Sequence, residues 1–227
     1  MTDRATHRPV PPWVGPLALA GVAGVVLYIA SWLVAGWWRQ GYDPLRQAIS
    51  ELFELGAPAG SRAVVVTGLV VSALALVAFG PVLHRGLPGT GLLGPALASV
   101  SGALTLGVVA FPCSSGCPGF GTTTTDTWHV LMAGGGYLAL MLAPLATGWR
   151  VREHLGGLAR LSFLLGGLAL VGLVVRNAGW DLHAGLQQRI FNTLADAWYL
   201  VVGVVIARPA PVRSRPWPAP ARRGPRR

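Results

Sequence analysis

Six stretches of this chain, 14–38, 63–83, 91–111, 130–149, 155–175 and 190–207, are apolar for about 20 residues each, enough to cross the hydrocarbon core of a bilayer as a helix. A spanning segment must satisfy its backbone hydrogen bonds internally, which in lipid leaves helices or a closed barrel. Runs this long and this continuously apolar read as helices. Only 11% of the 227 residues are charged while 52% are hydrophobic, against roughly 25% charged in soluble domains. The expected fold class is therefore all-α: a polytopic membrane bundle of six transmembrane helices. A short tail, 1–13, precedes the membrane domain at 14–207, and a Pro/Arg-rich tail, 208–227, follows it. The first run is too long for a signal-peptide core and ends in tryptophans rather than a small-residue cleavage site, so it is expected to remain.

The formal net charge is +10, and all 18 basic residues are arginine. They sit at segment ends and in the C-terminal tail rather than on a soluble domain, which argues against nucleic acid as a partner and for a role in orientation. With the N-terminus inside, 13 arginines fall on the cytoplasmic side and five (Arg39, Arg46, Arg62, Arg176, Arg189) on the outer side. The positive-inside rule then places both termini in the cytoplasm. Proline and charge repulsion predict a disordered tail, RPAPVRSRPWPAPARRGPRR. It is placed to touch anionic lipid of the inner leaflet or simply to enforce topology. Trp13, Trp37, Trp38, Trp128, Trp149 and Trp198 lie at or near run ends, mostly where an aromatic belt belongs.

The outer face collects the polar residues. In the first outer loop, YDPLRQAISELFELG over 42–56 predicts a short amphipathic helix capping the bundle. Asp43 suits the N-cap and Pro44 the first helical position; Gly56 ends it and Pro58 prevents continuation. Leu45, Ala48, Ile49, Leu52 and Phe53 would form its apolar face, opposite Arg46, Gln47, Ser50, Glu51 and Glu54. The second outer loop, PCSSGCPGFGTTTTD, carries the two cysteines, Cys113 and Cys117. They are four positions apart on the oxidising side of the membrane, where a local disulfide is expected; two free thiols are the alternative. The third holds Asp181, His183, Gln188 and Arg189 and leads into the sixth run, where Arg189, Asn192, Asp196 and Tyr199 share one helical face. Asp126 and His129 are three apart at the start of the fourth run, and Gly134, Gly135 and Gly136 permit close helix approach. The candidate outer-face site thus comprises Tyr42, Asp43, Arg46, Ser50, Glu51, Asp126, His129, Asp181, His183, Gln188, Arg189, Asn192 and Asp196. An acid within a span must find a partner, and His129, Arg189 or Arg46 would serve Asp196, His129 first.

The stretch YDPLRQAISELFELGAP resembles the signature of DUF998, a family of bacterial six-span membrane proteins of unknown function. The His129 position and Gly185-Leu186-Gln187-Gln188-Arg189 before the last span fit the same family. The resemblance runs from Val14 to Ala207, with Phe53-Glu54 inserted before the glycine. It implies six spans in a bacterial cytoplasmic membrane, and with no assigned reaction in the family it supplies no catalytic residues to carry over. Three functions stay open: a structural, lipid-binding or accessory bundle; a metal-dependent enzyme acting on a lipid or envelope substrate, with ligands drawn from His129, His183, Asp126, Asp181 and Asp196; or a small proton-coupled transporter using Asp196. A haem between His129 and His183 is a lesser alternative. No metal or cofactor is assigned, and oligomeric state is undetermined.

Overall fold

The computed structural model describes residues 10–178 and 183–208. It contains six long helices: α1 (Val14–Trp38), α2 (Ala59–Gly86), α3 (Leu93–Ala110), α4 (Thr124–Val151), α5 (Gly156–Asn177) and α6 (Ala184–Ala207). All six are long and apolar enough to cross a membrane, and no strand occurs among the described residues. The helices α2, α4 and α6 begin four to six residues before their apolar runs, because polar first turns are stabilised by neighbouring loops rather than by lipid. The C-terminal tail lies outside the described residues.

Each helix packs on its neighbours in sequence, α6 returns to α1 to close a ring, and α4 also touches α6. The large apolar side chains that face outward, among them Leu33, Leu74, Leu164, Val171 and Val174, would be an aggregation surface in water and suit lipid contact here. Inside, Phe79, Phe191, Trp198, Tyr199 and Met141 form the main core. Trp198 is thus no belt residue: it is fully buried and donates from Nε1 to Ser162 Oγ at 2.8 Å. Backbones approach closely where side chains vanish; a Cβ on Gly102 would stand 2.4 Å from the Ala73 carbonyl oxygen. Of the three consecutive glycines on α4, Gly135 and Gly136 face α3, whereas Gly134 faces open space. Pro81 within α2 frees the carbonyl of Val77, and Ser99 Oγ on α3 donates to it at 2.8 Å.

At one end of the bundle Arg150 donates to the carbonyls of His84, Leu87, Pro88 and Gly89, closing the α2–α3 turn. The other end carries the segments 39–58 and 111–123, the end of α5 and the start of α6, and the polar residues gather there. The segment 39–58 crosses this end as a strap, whose Tyr42, Ile49, Leu52 and Phe53 form a second buried cluster with Tyr28 and Trp32 of α1.

Candidate functional site

The strap is not the continuous helix its periodicity predicts. Asp43 does open a turn: its side chain accepts from Leu45 N at 2.9 Å, and its carbonyl accepts from Gln47 N at 2.8 Å. Only Ile49–Leu52 is helical, as a single 3-10 turn. The reason lies in α6. Its first-turn N–H groups have no partner within the helix, and they donate to the strap instead: Gly185 N to the Arg46 carbonyl at 3.2 Å and Leu186 N to the Leu45 carbonyl at 2.9 Å. Arg189 Nη1 donates to the carbonyls of Pro44 at 2.6 Å and Gln47 at 3.0 Å. Four carbonyls that a helix would need are therefore committed elsewhere. Leu45, expected on the inward face, is 48% exposed, while Ala48, Ile49, Leu52 and Phe53 are buried as expected.

Gly185 is required by this contact, since a Cβ there would lie 2.3 Å from the Gln47 carbonyl oxygen. Gln188 adds a second tie: its Oε1 accepts from Ile49 N at 2.7 Å, and its Nε2 donates to the Tyr137 hydroxyl at 2.8 Å. Arg189 also donates from Nη2 to the Tyr42 hydroxyl, which in turn donates to the Ala48 carbonyl at 2.9 Å. Burial pushes the Tyr42 phenol above its ordinary range, with the Arg189 guanidinium opposing. Glu51 turns back to accept from Ala48 N and from Gln47 Nε2, each at 2.8 Å. Asp43 and Arg46 form an exposed ion pair at 3.6 Å, a geometry worth little.

The 111–123 loop is joined by the Cys113–Cys117 disulfide, as the spacing predicts. Glu54 fastens this loop to the strap, accepting from Arg39 Nη2 at 2.9 Å and from Gly116 N at 2.6 Å. Asp126, buried at the start of α4, accepts from Ser114 N at 2.7 Å, Ser114 Oγ at 2.9 Å and Thr123 Oγ1 at 2.7 Å. It is a loop anchor, with both carboxylate oxygens engaged by the loop. His129 donates from Nδ1 to the Phe111 carbonyl at 2.8 Å, the role a carbonyl partner requires of it.

Beneath the strap lies a cavity of about 520 Å³. From the candidate set it is lined by Arg46, Ser50, Glu51, His129, Gln188, Asn192 and Asp196. Tyr42, Asp43 and Arg189 hold the strap instead, and Asp126 holds the loop. His183 is exposed and does not line the cavity, so the paired histidines of the haem and metal alternatives are not brought to it. Asp181 lies outside the described residues. No group of three His, Cys, Asp or Glu side chains converges among the described residues.

Asp196 corrects a further expectation. None of the three proposed partners reaches it: His129 is bound to Phe111, Arg189 to the strap and Arg46 to Asp43. Its Oδ2 is buried without a hydrogen bond, and the residue is 5% exposed. It lies twelve residues into α6, about 18 Å along the axis at 1.5 Å per residue, deeper than a helix starting at 190 implies. On insertion scales an acid at the centre of a span costs about 2.5–3.5 kcal/mol.

Sequence reasoning missed Tyr28 and Tyr137. Asn192 Nδ2 donates to the Tyr28 hydroxyl at 2.7 Å, as Gln188 does to Tyr137. Gln188, Asn192 and Asp196, four apart, thus form a polar file down α6. The first two are each matched by a tyrosine from another helix, and the third is unmatched. The available signal was that Tyr28 and Tyr137 sit well inside apolar runs, where a hydroxyl needs a partner. Arg176, one residue from the end of α5, also lines the cavity and donates to the Ala184 carbonyl at 2.5 Å.

A six-helix membrane bundle with a strapped cavity at one end is the class these features define. The chain belongs to the family of proteins of unknown function DUF998, whose model matches residues 22–205. Comparison with curated proteins and with solved structures gives no match.

Proposed function

We propose that this protein is a non-catalytic ligand-binding bundle that holds an amphiphile in the cavity beneath the strap. One observation carries this: the cavity falls within the roughly 300–1,000 Å³ of small-molecule sites and combines apolar walls with convergent polar groups. Leu69, Leu76, Val108, Leu140 and Phe191 supply the apolar surface, and the α6 file supplies the polar one. The strap end faces the outside of a bacterial cytoplasmic membrane and both termini face the cytoplasm, as the arginine distribution supports. The tail arginines, on the inner side, support contact with anionic lipid.

The metal-dependent enzyme has less support, because Asp126 is bonded to its own loop and His183 stands apart. The transporter is favoured by one feature, the unpartnered Asp196 within a span.

The test is native mass spectrometry of protein purified from membranes in a mild detergent. Wild type should carry a bound amphiphile of defined mass. Ser72→Phe on α2 and Val108→Trp on α3, both lining the cavity, should lose it while keeping the helical spectrum of wild type. Retention of the same adduct by both folded variants would place the ligand elsewhere and refute the proposal.

A further inference from the structure

The cavity beneath the strap is not uniform in charge. Arg46 and Arg176 line it near the strap, the first on the strap and the second next to the end of α5, and Glu51 of the strap lines it too. Leu69, Leu76, Val108 and Leu140 follow along the walls. At depth stands Asp196, 95% removed from solvent, with Oδ2 unpaired. Nothing basic contacts it among the described residues: Arg189, seven residues earlier on the same helix, gives its Nη1 and Nη2 donors to the strap and to Tyr42.

The groups around this carboxyl are already committed in a way that leaves acceptors over. Asn192 gives its Nδ2 proton to Tyr28, so its Oδ1 remains to accept. His129, with Nδ1–H on Phe111, lines the same cavity. A buried carboxylate without a partner is destabilising in a membrane interior unless it takes up a proton or something positive or a strong donor joins it. The complement to one carboxylate, an amide oxygen and an aromatic, apolar wall is a protonated amine attached to an apolar body.

We infer that the ligand of this cavity, which rests on the binding function proposed above, is a lipophilic amine whose ammonium group pairs with Asp196. The ammonium offers up to three donors, which Asp196 and Asn192 Oδ1 receive, and the apolar body lies against Leu69, Leu76, Val108 and Leu140. Anionic amphiphiles are disfavoured at that depth by the same carboxylate.

Three probes of equal chain length separate head group from body: decylamine, decanol and decanoate. Each is titrated at neutral pH into wild type, Asp196→Asn and Ser72→Phe in dodecyl maltoside micelles, with binding read by intrinsic tryptophan fluorescence and by thermal shift. Wild type should bind decylamine at least tenfold more tightly than decanol. Asp196→Asn, which keeps the shape and removes the ionisable group, should bring decylamine down to the level of decanol and leave decanol unchanged. Equal decylamine binding by wild type and Asp196→Asn would overturn the ammonium assignment while leaving the cavity as a binding site. Tighter binding of decanoate than decylamine would overturn it too, and would place the head group at Arg46 and Arg176. Failure of Ser72→Phe to weaken any of the three would instead defeat the cavity function itself.

Discussion

Gln188 accepts the N–H of Ile49 at 2.7 Å across 139 residues of chain. The bond fastens the strap to α6 and, through the other end of the same amide, to Tyr137 of α4. Gln188→Ala leaves the Ile49 donor buried and unpaired, at a cost of about 1–3 kcal/mol. The expected result is a clear drop in the thermal midpoint of detergent-solubilised protein followed by tryptophan fluorescence, with Gln188→Glu keeping the Ile49 bond and falling less. An unchanged midpoint in Gln188→Ala would mean that the strap is held without this residue.

Gly185→Ala tests the same contact by steric means. The added methyl meets the carbonyl oxygens of Gln47 at 2.3 Å and Pro44 at 2.6 Å, both backbone atoms that cannot rotate away. Overpacking of this kind costs about 1–3 kcal/mol. Gly134→Ala, where nothing lies within 4 Å, should be neutral or slightly stabilising in the same melt. Equal behaviour of the two variants would contradict the close approach.

The Tyr42–Arg189 pair should make stability depend on alkaline pH. Burial raises the Tyr42 phenol above its ordinary value of 10.0, so the folded protein holds this proton more tightly than the unfolded chain. The contribution is present below about pH 10 and is lost as pH rises through the higher folded value. Tyr42→Phe removes the phenol, so the difference in stability between wild type and variant should shrink as pH rises above 10. A difference that stays constant or grows would show that Tyr42 is not held neutral.

Cys113 and Cys117 should resist alkylation unless reduced. Intact mass after alkylation should show no added group without reductant and two with it. Reduction, or Cys113→Ser with Cys117→Ser, should cost about 2 kcal/mol in the loop-entropy account for so short a loop. The loss should also raise proteolysis within 111–123, since hydrogen bonds with Glu54, Leu55, Asp126 and His129 then hold that loop without a covalent tie.

His129→Ala and Asp196→Ala should act independently, because His129 is bonded to Phe111 and Asp196 has no partner. Their stability effects should add within about 0.3–0.5 kcal/mol, as for residues with no shared contact. A double-mutant coupling well above that would mean that the two side chains meet or couple through the cavity they both line.

A six-span bundle follows from the amino-acid sequence alone because transfer into lipid is a property each segment carries by itself. The apolar run at 14–38 coincides with α1, and the others differ only at their ends. The disulfide was legible for the same reason, since four residues of separation make it a local matter. The strap was not. Its apolar spacing and its Asp-Pro start are those of a helix, but Gly185, Leu186 and Arg189 take its carbonyls from a helix more than a hundred residues away, and local propensity loses to those bonds. Asp196 was recognisable as a costly acid, and its lack of a partner was not: whether an acid in a span is paired depends on where every other side chain has already been committed. Tyr28 and Tyr137 joined the cavity only through ring closure, which sets α1 and α4 against one face of α6. Hydropathy determined which segments enter the membrane; hydrogen bonding between segments distant in sequence decided what they surround.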